Sequence, residues 1–489
     1  MVLIGWNPRS KKKMVDLMAL KVNKFELLRT FASIITFFLS WTRCEIAFRT
    51  GQYGVTREMG FLEARKILGG LDAGSYIQGG LSLAEGTFRD PANNFIWELW
   101  PPGMSIFNLL FVKFFGIDSS PLLIWSLVSS LVVAWLTYIL LGFLKNQERK
   151  IQFFGIALIV IILLSSATQG WLLDQGIMYA EGLTLFGMFV TLFFLGRYLE
   201  DKKQHYLLLA GLGLSISVFM RSVNLVIIYL LVLCIVITLI AKSLSIISRF
   251  KGKLILPIRL RSLAMITAVP IFLMATWMAF RSTWLPGSRY QWVTSAGNSW
   301  KWYWMRDSDF KETGWGIVAG IDNWACQINK AVCEKIHANP ETNWDYQSLS
   351  LQSIFENPIA FLTERIPNFW DYWILNGRWL YPPQSRIPAS ISLLEGAIYL
   401  LILIFALFLI VKIWHKKIEL ALLQLAIILG NLLPLFLYHL EGRYFLPIKL
   451  ISGFIILQNL QICGVQQIQI FPRVLKIARG KLPNRKVTD

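Results

Sequence analysis

Carboxylates and arginines stand beside several apolar segments of this 489-residue chain, and their types suit one kind of chemistry. Asp72 lies in Leu71-Asp72-Ala73-Gly74-Ser75-Tyr76-Ile77, shortly after the first apolar segment. A carboxylate there can take a proton from an acceptor hydroxyl or amine. Arginines can hold a phosphate through forked hydrogen bonds. Together these groups suit the transfer of a group from a lipid phosphate to an acceptor outside the membrane.

The candidate residues lie at the ends of apolar segments, where ionisable groups are costly and are functional hypotheses by default. The catalytic candidates are Asp72, Glu98 and Glu181. The candidates for binding substrate are Asp174, Arg221, Arg281, Arg443, Tyr444 and Tyr76. Most of them have a structural alternative: helix capping or surface exposure for the acids, snorkelling to the interface for Arg221 and Arg281, and packing for Tyr76.

The elements that must position these residues are membrane helices. Hydrophobic residues make up 55% of the chain, in repeated apolar runs long enough to span a bilayer. We predict spans at 27–46, 121–144, 151–170, 180–196, 205–220, 222–241, 263–281, 391–411, 419–438 and 445–463. The stretch 102–116 is short, follows Pro101 and contains Lys113, so we predict a re-entrant or interfacial helix there.

The distribution of charge predicts the orientation. With ten spans, the segments on one side, counted with Arg29 and Glu419 at the adjoining span ends, carry 28 of the 48 Lys and Arg but only 7 of the 29 Asp and Glu. The positive-inside rule makes that side cytoplasmic and places both termini there. The net charge of +19 is thereby explained by topology, and nucleic-acid binding is not needed. The basic N-terminus leads into an uncleaved anchor helix. We expect a bacterial plasma-membrane protein with an extracytoplasmic active site.

The predicted fold is an all-α polytopic membrane protein of about ten helices, in which two large extracytoplasmic loops form a small mixed cap. We divide it into an N-terminal transmembrane region (1–281) with a catalytic first outer loop (47–120), an extracytoplasmic loop (282–390), and C-terminal helices with a basic tail (391–489). In the second loop, the stretch 357–375 predicts one or two amphipathic helices interrupted at Pro367. Cys326 and Cys333 lie close enough in sequence for a disulfide, which the sequence leaves open.

Six short motifs contain or adjoin the candidate residues. They are Asp72-Ala73-Gly74-Ser75-Tyr76, Trp100-Pro101-Pro102-Gly103, Tyr179-Ala180-Glu181-Gly182, Ser217-Val218-Phe219-Met220-Arg221, Trp277-Met278-Ala279-Phe280-Arg281 and Glu441-Gly442-Arg443-Tyr444-Phe445-Leu446-Pro447. In these motifs the chain resembles the GT-C superfamily of integral-membrane glycosyltransferases, in the branch of protein O-mannosyltransferases and lipid A aminoarabinose transferases. The resemblance is loose but ordered along the chain.

The resemblance implies an inverting transfer of a sugar from a polyprenyl-phosphate carrier to a lipid, glycan or protein acceptor. By position, Asp72 would act as the base or orient the acceptor, Glu98 or Glu181 would assist, and Arg443 or Arg221 would bind the donor phosphate. Ala73 follows Asp72 where protein O-mannosyltransferases have a paired Asp-Glu, which weakens the case for a protein acceptor. Relatives differ in their use of a divalent metal, and no ligand cluster in the sequence decides its need.

Two other classes of function remain open. A transporter or flippase of a lipid-linked glycan would more often show internal repeats or broken helices near the midplane, and the sequence shows no such repeat. A structural or assembly protein would tolerate replacement of Asp72. The clustering of polar residues at one predicted membrane face favours the transferase.

Overall fold

The computed structural model describes residues 24–49, 55–69, 72–165, 168–169, 173, 180–247, 260–285, 304, 324–340, 342, 344–374, 389–437 and 442–463. Within these ranges the chain is predominantly helical and contains no strand. The described α-helices are α1 (Lys24–Arg49), α2 (Phe61–Leu68), α3 (Asp72–Glu85), α4 (Asn94–Leu99), α5 (Gly103–Phe115), α6 (Pro121–Phe143), α7 (Arg149–Leu164), α8 (Glu181–Asp201), α9 (His205–Met220), α10 (Leu225–Ile247), α11 (Leu260–Arg281), α12 (Trp324–Ile328), α13 (Lys330–Ala338), α14 (Tyr346–Glu356), α15 (Pro358–Ile374), α16 (Ala389–Ile413), α17 (Ile418–Leu437) and α18 (Leu446–Cys463).

A helix overlaps each of the ten predicted spans, and seven described helices are long and apolar enough to cross a membrane. These seven candidate spans are Pro121–Phe143, Glu181–Asp201, Ser222–Ile240, Arg261–Arg281, Ser390–Ile413, Ile418–Leu435 and Leu446–Cys463. Their length and composition are those of an all-α membrane protein. The basic N-terminal stretch before Lys24 lies outside the described residues.

Small residues hold the bundle together where two backbones approach each other. A Cβ atom at Gly187 of α8 would lie 2.6 Å from the carbonyl oxygen of Gly213 in α9, and one at Gly213 would lie 2.8 Å from that of Gly187. The Thr191 hydroxyl crosses the same contact and lies 3.2 Å from the Ala210 carbonyl oxygen. Close backbone approach of this kind is typical of helices in lipid. The hydrophobic effect does not drive helices together there, so they associate through close packing of small residues.

Polar side chains join α17 to α18 and α18 to α8. The Gln424 amide donates to both Gln458 Oε1 and Asn459 Oδ1 at 2.9 Å, and the Asn459 amide returns a bond to Gln424. Gln458 then donates to the Leu192 carbonyl oxygen of α8 at 2.9 Å. These amides satisfy one another inside the bundle, where unpaired polar groups would be expensive.

The helix predicted for 102–116 packs within the segment predicted as the first outer loop (47–120), which we call the first outer segment. Its 13 residues span about 20 Å, less than the hydrocarbon core of a bilayer. It lies along α3: Gly79 of α3 faces Ser105, Gly80 faces Asn108, and Lys113 Nζ donates to the Ala84 carbonyl oxygen at 2.9 Å. This length and pairing support a helix that does not cross.

The second outer segment contributes one long amphipathic helix, α15. Pro367 was expected to interrupt it, but the helix continues from Pro358 to Ile374 with the proline inside. One face carries Phe361, Arg365, Phe369 and Trp373, spaced four residues apart. Arg365 Nη2 donates to the Leu435 carbonyl oxygen at 2.7 Å, and the rings of Phe369 and Trp373 both meet Phe445. The anchored residues on both sides of Pro367 keep the helix continuous despite the lost backbone bond.

Exposed apolar side chains flank this anchored face of α15. They are Ile359, Leu362, Ile366 and Trp370. A helix that packs on protein along one face and exposes apolar side chains beside it is typical of a membrane interface.

A disulfide joins α12 to α13. Cys326 and Cys333, for which the sequence left pairing open, are bonded with their Cα atoms 5.0 Å apart. They pack with Trp304, whose indole donates to Ser350 Oγ at 2.8 Å. We had expected the two outer loops to form a small mixed cap; their described parts are helical, with no strand among them.

Candidate functional site

Three predicted residues from three elements meet at one end of the bundle, which we call the Glu181 end. Arg221 Nη1 donates to Glu181 Oε1 at 2.8 Å. The Arg221 guanidinium also lies 4.1 Å from the centre of the Tyr444 ring. The side chain of Glu181 is 6% exposed and that of Arg221 is 17% exposed, so this is a largely buried ion pair. An ion pair of this kind holds a positive charge in a fixed position.

Local structure explains why these residues meet. Helix α8 begins at Glu181 and α9 ends at Met220, and the short turn between the two helices makes them antiparallel. Arg221 leaves α9 with extended backbone angles, φ −142° and ψ 123°. The Asn224 side chain donates to the Ser217 carbonyl oxygen at 2.8 Å, which closes the turn into α10. A 3-10 turn, Gly442–Phe445, supplies Tyr444 immediately before α18.

The first outer segment docks against this pair through its Trp-Pro-Pro-Gly motif. A Cβ atom at Gly103 would overlap the Phe219 carbonyl oxygen, so only glycine fits against the end of α9. The rings of Tyr76 and Trp100 meet edge to face with centroids 5.5 Å apart. They share an apolar cluster with Met104, Val132, Ala180, Leu183 and Met220. Ala180 and Met220 directly precede Glu181 and Arg221, so this aromatic wall adjoins the ion pair.

Asp72 is the first residue of α3 and is half-buried. It precedes Tyr76 by four residues, which places both side chains on one face of the helix, with their Cα atoms about 6 Å apart. A Cβ atom at Gly74 would lie less than 2.5 Å from the Leu68 carbonyl oxygen, so glycine allows the tight corner between α2 and α3. The structure thus places Asp72 one helical turn from the aromatic wall that adjoins Glu181 and Arg221.

Arg281 and Glu98 form a second group, linked to the wall through α4. Arg281 is 1% exposed, and its Nη1 donates to the Trp97 carbonyl oxygen at 2.7 Å. Glu98 is exposed and acts electrostatically on Arg281. The Trp97 ring packs against Trp277 of α11 at 5.9 Å. The described contact of Arg281 fastens the first outer segment to α11; a phosphate contact for this arginine stays a prediction.

Two predicted residues are described incompletely or not at all. Asp174 lies outside the described residues. For Arg443 the structure describes the backbone of its 3-10 turn but not the side chain.

One group of three residues in the described ranges could share a metal ion by proximity: Cys326, Cys333 and His337. The disulfide already uses both sulfur atoms. The described carboxylates near Arg221 form no such group, and metal dependence therefore stays open.

Sequence reasoning overlooked a buried cation next to this end. Lys449 of α18 is 1% exposed and donates to the Trp373 carbonyl oxygen at 2.7 Å. Its ammonium also lies 5.1 Å from the Trp373 ring centre and 5.5 Å from that of Tyr399. Glu395 of α16 acts on it electrostatically. The signal was present, because Lys449 and Glu395 are ionisable residues inside predicted spans.

No protein-family model matches this sequence, and no curated protein is significantly similar to it. The fold and the site define an all-α protein with apolar helices of membrane-spanning length and a buried polar centre at one end of the bundle.

Proposed function

We propose that the chain is an inverting glycosyltransferase that moves a sugar from a polyprenyl-phosphate carrier to an extracytoplasmic lipid, glycan or protein acceptor. The observation that carries the proposal is the meeting of Glu181, Arg221 and Tyr444 beside the wall that includes Tyr76. Trp100 belongs to the same wall, so five of the six motifs that resemble the GT-C superfamily converge on one place.

The chemistry assigns a separate role to each charged group. Asp72 takes the proton of the acceptor as the acceptor oxygen or nitrogen bonds to the anomeric carbon. The bond from that carbon to the phosphate oxygen breaks on the opposite face, and the carrier phosphate leaves with the electron pair. Arg221 holds the departing phosphate, since its hydrogen bond to Glu181 uses one of five N–H donors. Glu181 and the Tyr444 ring keep the guanidinium in position.

The arrangement of helix ends supports ten crossings. The starts of α1, α9 and α17 and the ends of α6, α8 and α18 line one cavity, and so lie at one end of the bundle, which we call the Lys417 end. Since α6 and α8 both finish there, α7 must return the chain to the other end before α8 begins. Helix α9 begins at the Lys417 end and is followed by Arg221, which contacts Glu181 at the other end, so α9 also crosses. Helix α1 packs along α6, whose Ala134 carbonyl oxygen accepts from Ser33 at 2.6 Å.

The orientation follows from charge and from the disulfide. The Lys417 end is cytoplasmic by the positive-inside rule, which makes the Glu181 end extracytoplasmic. The Cys326–Cys333 disulfide belongs to a segment attached at the Glu181 end, and disulfides persist in oxidising compartments. A bacterial plasma membrane with both termini in the cytoplasm fits this arrangement.

The test is transfer by purified protein from a panel of radiolabelled polyprenyl-phosphate sugars to extracted envelope lipids, glycans and proteins. Asp72→Asn keeps the side-chain shape but removes the base, and we expect at least about a hundredfold loss of transfer. Glu85→Gln is the matched control, because Glu85 is an exposed carboxylate at the opposite end of the same helix. Equal transfer by wild type and a folded Asp72→Asn variant would remove Asp72 from the mechanism.

A further inference from the structure

A second polar region lies at the Lys417 end, away from Glu181. It is a cavity of about 540 Å³ between the ends of six helices, α1, α6, α8, α9, α17 and α18. Its volume lies in the range of small-ligand sites. The glycosyl-transfer mechanism uses none of the residues that line it.

The lining of the cavity carries more positive than negative charge. Four cations line it, Arg29, Lys145, Arg197 and Lys417, together with the carboxylates Glu26 and Glu200. Glu26 pairs with Lys145 at 2.8 Å and with Arg29 at 3.4 Å. Arg197 pairs with Glu200 at 3.2 Å and with Asp201, just outside the lining, at 2.9 Å. Lys417 Nζ donates to the Leu199 carbonyl oxygen at 3.3 Å and pairs with no carboxylate among the described residues. This excess favours an anionic ligand.

Arg29 is positioned in the cavity by an aromatic ring and a glycine. Its guanidinium carbon lies 3.6 Å from the centre of the Tyr138 ring. A Cβ atom at Gly142 would lie 2.7 Å from Arg29 Nη1, so the absence of a side chain there leaves room for the guanidinium. A planar guanidinium fixed on a ring presents its remaining donors in one direction, which suits a phosphate.

A row of half-buried aromatic rings runs from the cavity along α6 and α8 toward the middle of the bundle. Tyr138, Phe193 and Phe194 line the cavity. Further along, Trp135 packs against Phe193 at 6.2 Å and against Phe186 at 5.2 Å, and both Trp135 and Phe186 are half-buried. A cationic cavity thus adjoins an apolar aromatic surface, and this combination suits an amphiphile.

We propose that this cavity binds the phosphate head group of an anionic membrane lipid, with its chain along the row of aromatic rings on α6 and α8. A soluble phosphate compound would leave the aromatic rings without a ligand. A zwitterionic lipid carries no net charge to match the excess of cations. The proposal does not depend on glycosyl transfer, because it rests on residues at the opposite end of the bundle.

The experiment is native mass spectrometry of the full-length protein in detergent, titrated with phosphatidylglycerol or phosphatidylcholine. We expect wild type to retain one phosphatidylglycerol at about tenfold lower concentration than phosphatidylcholine. Arg29→Gln with Lys417→Gln should weaken phosphatidylglycerol binding about tenfold and remove the preference. The matched control is Arg149→Gln with Lys150→Gln, which removes two exposed cations at the start of α7 that do not line the cavity.

Three outcomes would overturn the proposal. They are an unchanged preference in the cavity variant, an equal loss in the control variant, and displacement of phosphatidylglycerol by an equal concentration of inorganic phosphate. The last would assign the cavity to a soluble anion. If the double variant does not fold, Lys417→Gln alone serves the same test, since the described contact of Lys417 is a single hydrogen bond to a backbone carbonyl. An unchanged lipid preference in that variant would also overturn the proposal.

Discussion

The two ends of the bundle use the same side-chain types in opposite ways. At the Glu181 end, one arginine is matched to one carboxylate and one aromatic ring, and the first outer segment packs beside them. At the Lys417 end, four cations share a cavity with two carboxylates, and Lys145 and Glu26 are each more than a third exposed. A buried, matched pair fixes a charge in position but leaves little net attraction. A surplus of cations, most of them partly exposed, attracts an anion through net charge, and Arg29 on the Tyr138 ring gives that attraction a direction.

This difference relates to the kind of work each end can do. A group that stabilises charge developing in a transition state must be held in place before the reaction begins. A group that captures an already anionic head group gains from net charge and from access to the lipid. The Glu181 end meets the first requirement and the Lys417 end meets the second.

The largest expected effect separates the two ion pairs. Glu181→Gln leaves Arg221 buried without its carboxylate and should lower the free energy of unfolding by about 3 kcal/mol. Glu26→Gln removes one partner of a half-exposed pair and should cost less than about 1 kcal/mol. Equilibrium unfolding in mixed micelles with increasing SDS measures both. Equal losses of unfolding free energy in the two variants would mean that the two ion pairs are equally exposed to solvent, contrary to the difference between the two ends.

Replacing both members of the Glu181–Arg221 pair separates stability from function. Glu181→Leu with Arg221→Met removes both buried charges together, so we expect near wild-type stability because no unpaired charge remains. Transfer from the polyprenyl-phosphate donor should nevertheless be lost, since the Arg221 guanidinium, which we propose holds the leaving phosphate, is gone. A stable double variant that still transfers sugar would show that the pair is structural only.

A smaller effect is expected where the first outer segment meets α9. Gly103→Ala places a methyl group against the Phe219 carbonyl and should cost about 1–3 kcal/mol as the Trp-Pro-Pro-Gly segment moves away from α9. Gly69→Ala is the control, because its nearest neighbours lie 3.4 Å or more from the added Cβ atom and its backbone is helical. The same unfolding assay applies. Equal stability of the two variants would contradict the close contact at Gly103.

The sequence predicted the positions of the long helices well, because a run of apolar residues is a local signal. It also singled out Glu181, Arg221 and Tyr444 as residues, since charged and aromatic groups at span ends are visible in the sequence. It did not predict that they contact one another. That contact depends on the packing of α8 against α9 through Gly187 and Gly213, which local pattern does not encode.

Two misses have the same physical origin. Pro367 was expected to break a helix, but tertiary anchoring of Arg365 and Trp373 keeps α15 continuous. Lys449 was passed over inside an apolar span, although an ionisable residue there needs a partner, and it has one in the Trp373 carbonyl. In both places, contacts between distant segments outweigh the local preference.

The smallest expected effect concerns the position of Arg29 at the Lys417 end. Gly142→Ala adds a methyl group that meets the flexible end of Arg29 and keeps every charge in the cavity. Since alanine favours a helix more than glycine does, the variant should fold at least as well as wild type. Phosphatidylglycerol binding should still weaken about threefold, because the displaced guanidinium no longer rests on Tyr138. Native mass spectrometry with Gly69→Ala as control measures this. Unchanged binding would mean that the cavity attracts lipid through net charge alone, with no contribution from the placement of Arg29.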